Sequence, residues 1–557
     1  MNVKPEGPVI YELDESKQEF KLDEEIEDPI SAYEVWTNMK YLGIPFNYVG
    51  FAIFDTAYAS LAYPVFQNFL NKPQNYINVM GQMSTFFLAL KICFGIFSDS
   101  VVICGQRRKP YIVIGWVGVF VVLLCNAIYV MVNEDMLYCY QGSLRLNETS
   151  NGECPPETTF QTISVGASFN PNMLAIFAIV GSFFFTLADV ATDSYCVQLA
   201  KREPEDKRGQ IQSYNMSLRF LFSLVFTLTS NLYFNSPMWG GDSSIQWAMS
   251  TYFWVLCFIT GCGLPFWLML HEDRIRDNER QSARDYFQKL WLLTKNHGYG
   301  SLLLFQFCTV VFSVGAVGAS GLAKNWVGVT PILNTLTTTA QYVGVFLTIF
   351  AMGTWGRSKD WRMLNMIGLG VPPLLGLLTL VIVYDVNRSP AFWFFTQVDS
   401  QIISMVNWLA AIWAVNEMAP KGLEGTAYAF ASTLHNAAIP LATTLRNNIG
   451  QAVAPLIVAG QFYEQDSESQ YASNIYVTTG INMMALMFIV LFPRQKADAR
   501  KRFAQWGSSA FMGIVVTSFA LFGMCYPAIV NMITIFCTCM PIAGGPGCIP
   551  ETCDAIY

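Results

Sequence analysis

The sequence predicts an all-α integral membrane protein: two bundles of six membrane-spanning helices, with an additional spanning helix at the C-terminus. Three observations predict it. Hydrophobic residues fill 53% of 557 positions and charged residues only 13%, with 42 phenylalanines, a balance foreign to a soluble chain. Apolar runs of about 20 residues, enough to cross roughly 30 Å of hydrocarbon, recur along most of the chain. Lys and Arg segregate to alternate loops between those runs.

In order, residues 1–44 form an acidic N-terminal segment, of which 6–28 lack an apolar core and are expected to be disordered and cytoplasmic, with no secretory signal. The same acidity argues against mitochondrial or plastid targeting. The first bundle, 45–270, has spans at 45–70, 77–98, 111–132, 172–197, 213–235 and 245–270. A linker follows at 271–298, where 11 of 28 residues are charged, and its Tyr286-Phe-Gln-Lys-Leu-Trp-Leu-Leu stretch predicts an interfacial helix. The second bundle, 299–492, has spans at 299–321, 331–355, 363–384, 391–416, 425–451 and 473–492. A basic segment, 493–506, leads into the thirteenth span at 507–533 and a cysteine-rich tail at 534–557.

With the N-terminus inside, the cytoplasmic segments hold 26 Lys and Arg, whereas the outer ones hold only Lys72, Arg145, Lys324 and Arg388. The outer loop 133–171 carries the glycosylation sequon Asn147-Glu-Thr149, together with Cys139 and Cys154, which suit a disulfide in an oxidising compartment. The thirteenth span delivers Cys537, Cys539, Cys548 and Cys553 to that same side; without histidine in the tail, disulfides are expected over a metal site, in any of three pairings. The expected location is a multi-pass protein of the plasma membrane, or of an endomembrane, with an extracytoplasmic C-terminus.

The most informative stretch joins spans 2 and 3: Lys91-Ile-Cys-Phe-Gly95-Ile-Phe-Ser98-Asp99, then Gly105-Gln-Arg107-Arg108-Lys109-Pro110-Tyr111. A glycine lets two helices close, an acid ends the helix, and a basic turn follows, the pattern of a hinge. Gly353-Thr-Trp-Gly356-Arg357-Ser-Lys359-Asp360 echoes it between spans 8 and 9. Parallel repeats of this kind imply two bundles that rock about a midmembrane site.

These residues resemble the folate–biopterin transporter family, a branch of the major facilitator superfamily. Ala188-Asp189-Val-Ala-Thr-Asp193, Arg208-Gly209-Gln-Ile-Gln212-Ser213 with Arg219, and Ala419-Pro420-Lys421-Gly422-Leu-Glu424-Gly425-Thr426 are similar to further motifs of that family, in the same order. The match is good over spans 1–5 and fair around 417–426, and the thirteenth span departs from the usual twelve. The resemblance implies a transporter of folate, biopterin or a related pterin.

Ionisable groups inside spans cost about 2.5–3.5 kcal/mol each unless paired or wetted. The candidates are Asp55, Lys91, Asp189, Asp193, Arg219, Asp399, His435 and Arg446. Asp189 and Asp193, four residues apart, share a helix face; with Lys91 and Arg219 they are expected to form a neutral cluster, either an inner gate in which one acid takes a proton or a charge network that only holds spans together. Gly95, Asp99, Gly105, Arg107, Arg108 and Lys109 are expected to gate. Span 1 offers Asn47, Phe51, Asp55 and Tyr58 at helical spacing, an acid and aromatics for a flat heterocycle or, for the rings, ordinary packing. In span 11, with Pro440 expected to break the helix, Arg446 either binds substrate carboxylates, partnered by Asp399 when empty, or snorkels to the interface; His435 is a satisfied core histidine or a proton relay.

No P-loop, zinc-spaced set or soluble domain supports an enzyme or an ATP-driven pump, and no cofactor or metal is expected. The expected partners are a small pterin-class solute, a proton or other ion, and lipid. S-adenosylmethionine is the competing cargo, and a non-transporting receptor or scaffold is the reading of another class.

Overall fold

The computed structural model describes residues 10–14, 19–23, 29–61, 64–66, 86–133, 138–141, 144–146, 159–161, 171–204, 207–235, 247–272, 283–329, 331–420, 423–458, 461–536 and 540. After a short α1 (Ala32–Thr37), the first bundle is built from α2 (Gly43–Leu61), α3 (Lys91–Ser100, preceded by the 3-10 turn Phe86–Leu90), α4 (Lys109–Val132), α5 (Pro171–Lys201), α6 (Gln210–Tyr233) and α7 (Met249–Met269). The linker helix α8 (Ala283–Lys295) leads to α9 (His297–Val311), α10 (Pro331–Thr354), α11 (Trp361–Gly376), α12 (Pro390–Met418), α13 (Glu424–Val453) and α14 (Ser467–Met484). The chain then forms α15 (Lys496–Gln505) and the thirteenth span, α16 (Ala510–Phe536). Every predicted span overlaps a described helix, and eight described helices are long and apolar enough to cross a membrane.

α5 of the first bundle packs on α13, and the bundles meet further along two helix pairs, α3 against α13 and α6 against α10. In span numbers these are 2 with 11 and 5 with 8, pairs that exchange under an offset of six, as the repeat requires. Gly95 makes the first pair close: a Cβ there would lie 2.7 Å from the Cβ of Ala429 on α13. The thirteenth span packs on α13, α9 and the linker helix.

Several expectations are corrected. Residues 10–14 and 19–23, expected to be disordered, pair as antiparallel strands β1 and β2, with Leu13 opposite Phe20 and Glu12 opposite Lys21; alternation of apolar and charged residues outweighs the acidity. Pro440 does not break α13, which runs on to Val453, since a single lost backbone bond is a small defect in a 30-residue helix. Span 7 is instead interrupted: α9 ends at Val311 and helix resumes at Ala319, after Gly318 at φ +81°. The described residues between α4 and α5 form a three-stranded sheet of β3 (Tyr138–Gln141), β4 (Leu144–Leu146) and β5 (Thr159–Gln161). Asn147, Cys154, Cys537, Cys539, Cys548 and Cys553 lie outside the described residues, as do the side chains of Cys139 and Asp399.

Candidate functional site

A cavity of about 480 Å³ lies between the bundles, lined from both. Its first-bundle wall is ionic. Lys91 on α3 pairs with Asp189 and, at 3.3 Å, with Asp193, both on α5 and fully buried. Arg219 on α6 reaches Asp189 at 3.4 Å and Asp55 on α2 at 3.5 Å. The Tyr48 hydroxyl donates to Asp193 at 2.9 Å. The cluster therefore joins four helices and holds three carboxylates against two cations, where the sequence predicted two against two. Asp55 is its most open member, its side chain 37% exposed and held by Arg219 alone among the described ion pairs.

The rest of span 1's predicted face is packing. Asn47 accepts from Trp116 Nε1 at 2.5 Å, the Phe51 ring stacks on Trp116 and meets Phe185 edge-on, and the Tyr58 hydroxyl accepts from Asn126 at 2.7 Å. Only Asp55 of the four lines the cavity.

The second-bundle wall is polar and aromatic. His435 shares a 3.3 Å hydrogen bond with Gln306, and its ring centroid lies 4.4 Å from that of Trp408. Asn436 and Ser432 follow along α13, and the unwound stretch of span 7 contributes Ser313 and Gly315. Arg446 lines the far end, its buried Nε without a hydrogen-bond partner among the described residues. Backbone freed from a helix beside a cavity is how membrane helices commonly present polar groups to a ligand. Nothing in the composition of span 7 except Gly315 and Gly318 signals that break.

Below the cavity, at the end of the bundle carrying the Lys- and Arg-rich loops, the halves are locked together. Asp99, which closes α3, pairs with Arg108 and accepts from the backbone N–H of Thr426 at 2.7 Å and its hydroxyl at 2.6 Å. Gly425 permits this: a Cβ there would lie 2.8 Å from Asp99 Oδ1. Lys201 meets Glu424 at 3.0 Å, and Arg208 meets Glu417 at 3.4 Å. Helices α5 and α12 overrun the bilayer thickness, and so carry Lys201 and Glu417 into this contact. Gly105 adopts φ +79° in the turn to α4. The backbone N–H groups of Arg107, Arg108 and Lys109 all donate to the Glu272 carboxylate, at 2.7–3.0 Å, so this basic turn acts partly through its backbone. Neither Glu272 nor Tyr286, whose hydroxyl bonds Thr426 and reaches Asp99 at 3.5 Å, was among the predicted gating residues. A charged linker hides both within a run of similar residues.

No family model matches this chain, and no curated protein matches it. Among solved structures, the proton:xylose symporter XylE bound to 6-bromo-6-deoxy-D-glucose superimposes with a TM-score of 0.54 at 15% identity, covering 86% of this chain and 99% of its own. A D-xylose-proton symporter gives 0.55 at 14%, over 84% and 99%. A double-Trp mutant of XylE gives 0.55 at 13%, over 86% and 100%. The chain thus has the fold of the major facilitator superfamily, two six-helix bundles, with one more helix appended.

Proposed function

We propose that this protein is a secondary transporter of a folate, biopterin or related pterin, working by alternating access and coupled to protons. The observation that carries the reading is the ionic wall of the central cavity: three carboxylates set against two cations. Their excess acid is suited to take a proton. Across the cavity, Arg446 offers a cation to a carboxylate, and the Trp408–His435 pair with Gln306 and Asn436 suits a flat, hydrogen-bonding ring. Proton coupling also fits the neighbours, described as proton symporters. The pterin class rests on the motif resemblance around Lys91–Tyr111 and Asp189–Arg219.

With the basic loops cytoplasmic, as the 26-to-4 partition of Lys and Arg argues, the locked end faces the cell interior and the structure is the outward-facing or occluded state. Asn147 is then glycosylated and the tail cysteines are paired outside.

The test is uptake of radiolabelled folate, biopterin and S-adenosylmethionine at two external pH values, beside Asp189→Asn. Saturable pterin uptake that rises with external acidity and is lost in the variant supports the reading. Uptake of S-adenosylmethionine alone keeps a transporter and removes its cargo class; no uptake of any of the three, with normal surface expression, sinks the proposal.

A further inference from the structure

A second charged cluster lies at the locked basic end, apart from the cavity. Arg208, at the end of the loop into α6, is 4% exposed; Arg357 lies between α10 and α11; Lys496 and Arg500 project from α15. Glu417 is shared, accepting from Arg208 Nη1 at 3.4 Å and from Arg500 Nε at 2.8 Å. Lys496 Nζ donates to the backbone carbonyl of Arg208 at 3.4 Å. The other nearby carboxylate, Glu203, accepts from the backbone N–H groups of Gly209, Gln210 and Ile211 at 2.6–3.2 Å.

Two of these guanidiniums keep unfilled donors. Nε and Nη2 of Arg208 and Nη1 of Arg357 are buried without a hydrogen-bond partner among the described residues. Leaving a buried charged donor unmet is costly, whereas a guanidinium fork matches a phosphate oxygen pair. Burial lowers the Lys496 pKa; Glu417 opposes this, while Arg208, Arg357 and Arg500 lower it further.

We propose that this cluster binds a phosphate group, and that the bound group staples the two bundles shut. Arg208 comes from the first half and Arg357, Lys496 and Arg500 from the second, so one phosphate bridges them. The group is carried either by a soluble phosphate or by an anionic lipid headgroup, since the cluster sits among the basic loops at the end of the bundles. The inference does not depend on the cargo, nor on transport itself.

The test uses the purified full-length protein and its unfolding temperature. Inorganic phosphate at constant ionic strength in detergent, with chloride as control, is one arm; lipid discs of phosphatidylcholine with and without phosphatidylinositol phosphate are the other. A site near saturation raises Tm by about 3 °C. A rise in the first arm assigns a soluble phosphate, and a rise in the second alone assigns a headgroup. Lys496→Gln and Arg357→Gln each reduce the rise, and two variants are used in case one fails to fold. No rise in either arm, or an equal rise in the folded variants, overturns the proposal.

Discussion

At the scale of the residue, the ionic wall divides its carboxylates by how firmly they are held. Asp189 meets both Lys91 and Arg219, and Asp193 meets Lys91 and the Tyr48 hydroxyl, whereas Asp55 has Arg219 at 3.5 Å and an open side. Asp55→Asn is therefore expected to leave protein levels intact while flattening the pH dependence of uptake. Asp189→Asn, which strips a partner from two cations, lowers uptake at every pH; equal pH profiles for wild type and Asp55→Asn would count against Asp55 as the proton carrier. Outside the membrane, burial pushes the Glu203 carboxyl up to about 8 from an ordinary 4.5, against the pull of its backbone N–H partners and Arg357. Between those values the folded chain keeps a proton that the unfolded chain has released, so stability falls as pH rises through the window and levels off above it. Tm measured from acid to alkaline pH should show that fall, and Glu203→Gln should reduce it. Lys91, Asp189, Asp193 and Arg219 were legible in the sequence because a charge within a span demands a partner, and an i, i+4 pair shares a face. That Asp55 belongs with them was not, because only the packing of α2 beside α6 brings it to Arg219.

At the scale of the element, polarity and broken helix together hide five of the thirteen spans from a count by hydropathy. Spans 2, 5, 7, 10 and 11 are absent from the eight described helices apolar and long enough to cross a membrane, and these same spans supply Lys91, Arg219, Gln306, Trp408 and His435 to the cavity. The described helices of spans 2 and 7 run for only 10 and 15 residues, while spans 5, 10 and 11 carry polar stripes that face a partner helix or the cavity, so hydropathy alone undercounts all five. The sequence also placed Gly95 at a helix contact, and the 2.7 Å approach to Ala429 fits that role. Overpacking such a contact costs about 1–3 kcal/mol, on the order of tenfold in the ratio of closed to open basic end. Gly95→Val should therefore lower uptake by roughly that factor at unchanged protein level, and wild-type uptake in the variant would show that α3 and α13 need not approach so closely. The break in span 7 stayed illegible because its residues are as apolar as a continuous helix; what stops α9 is tertiary, the backbone N–H of Val314 donating to Asn482 on α14 at 2.6 Å.

At the scale of the whole molecule, the two sites are connected: a polar cavity between the bundles and a lock at the basic end are joined by α3, α5 and α13, each of which contributes to both. Lys91 opens α3 at the cavity and Asp99 nearly ends it at the lock; Asp189 and Lys201 do the same along α5. The same three helices thus connect the wall with the contacts that hold the bundles together. The repeat architecture was legible because the hinge pattern recurs after six spans, but which end is shut is a matter of tertiary contact that no local pattern encodes. Asp99 is the point at which the lock can be tested. Removing its charge leaves Arg108, 1% exposed, without its closest countercharge, and breaking such a buried pair costs about 3–5 kcal/mol. That cost falls on the locked state, since the basic end gains water when the bundles part, so Asp99→Asn should populate the state open at that end. Hydrogen exchange of the full chain reads this directly: the Thr426 amide, which now donates to Asp99, and its neighbours in the first turns of α13 should exchange faster, while the far end of α13 near Arg446 does not. Equal exchange at Thr426 in wild type and variant would mean that the Asp99 contacts do not hold the end closed, and that the remaining pairs, Lys201 with Glu424 and Arg208 with Glu417, suffice.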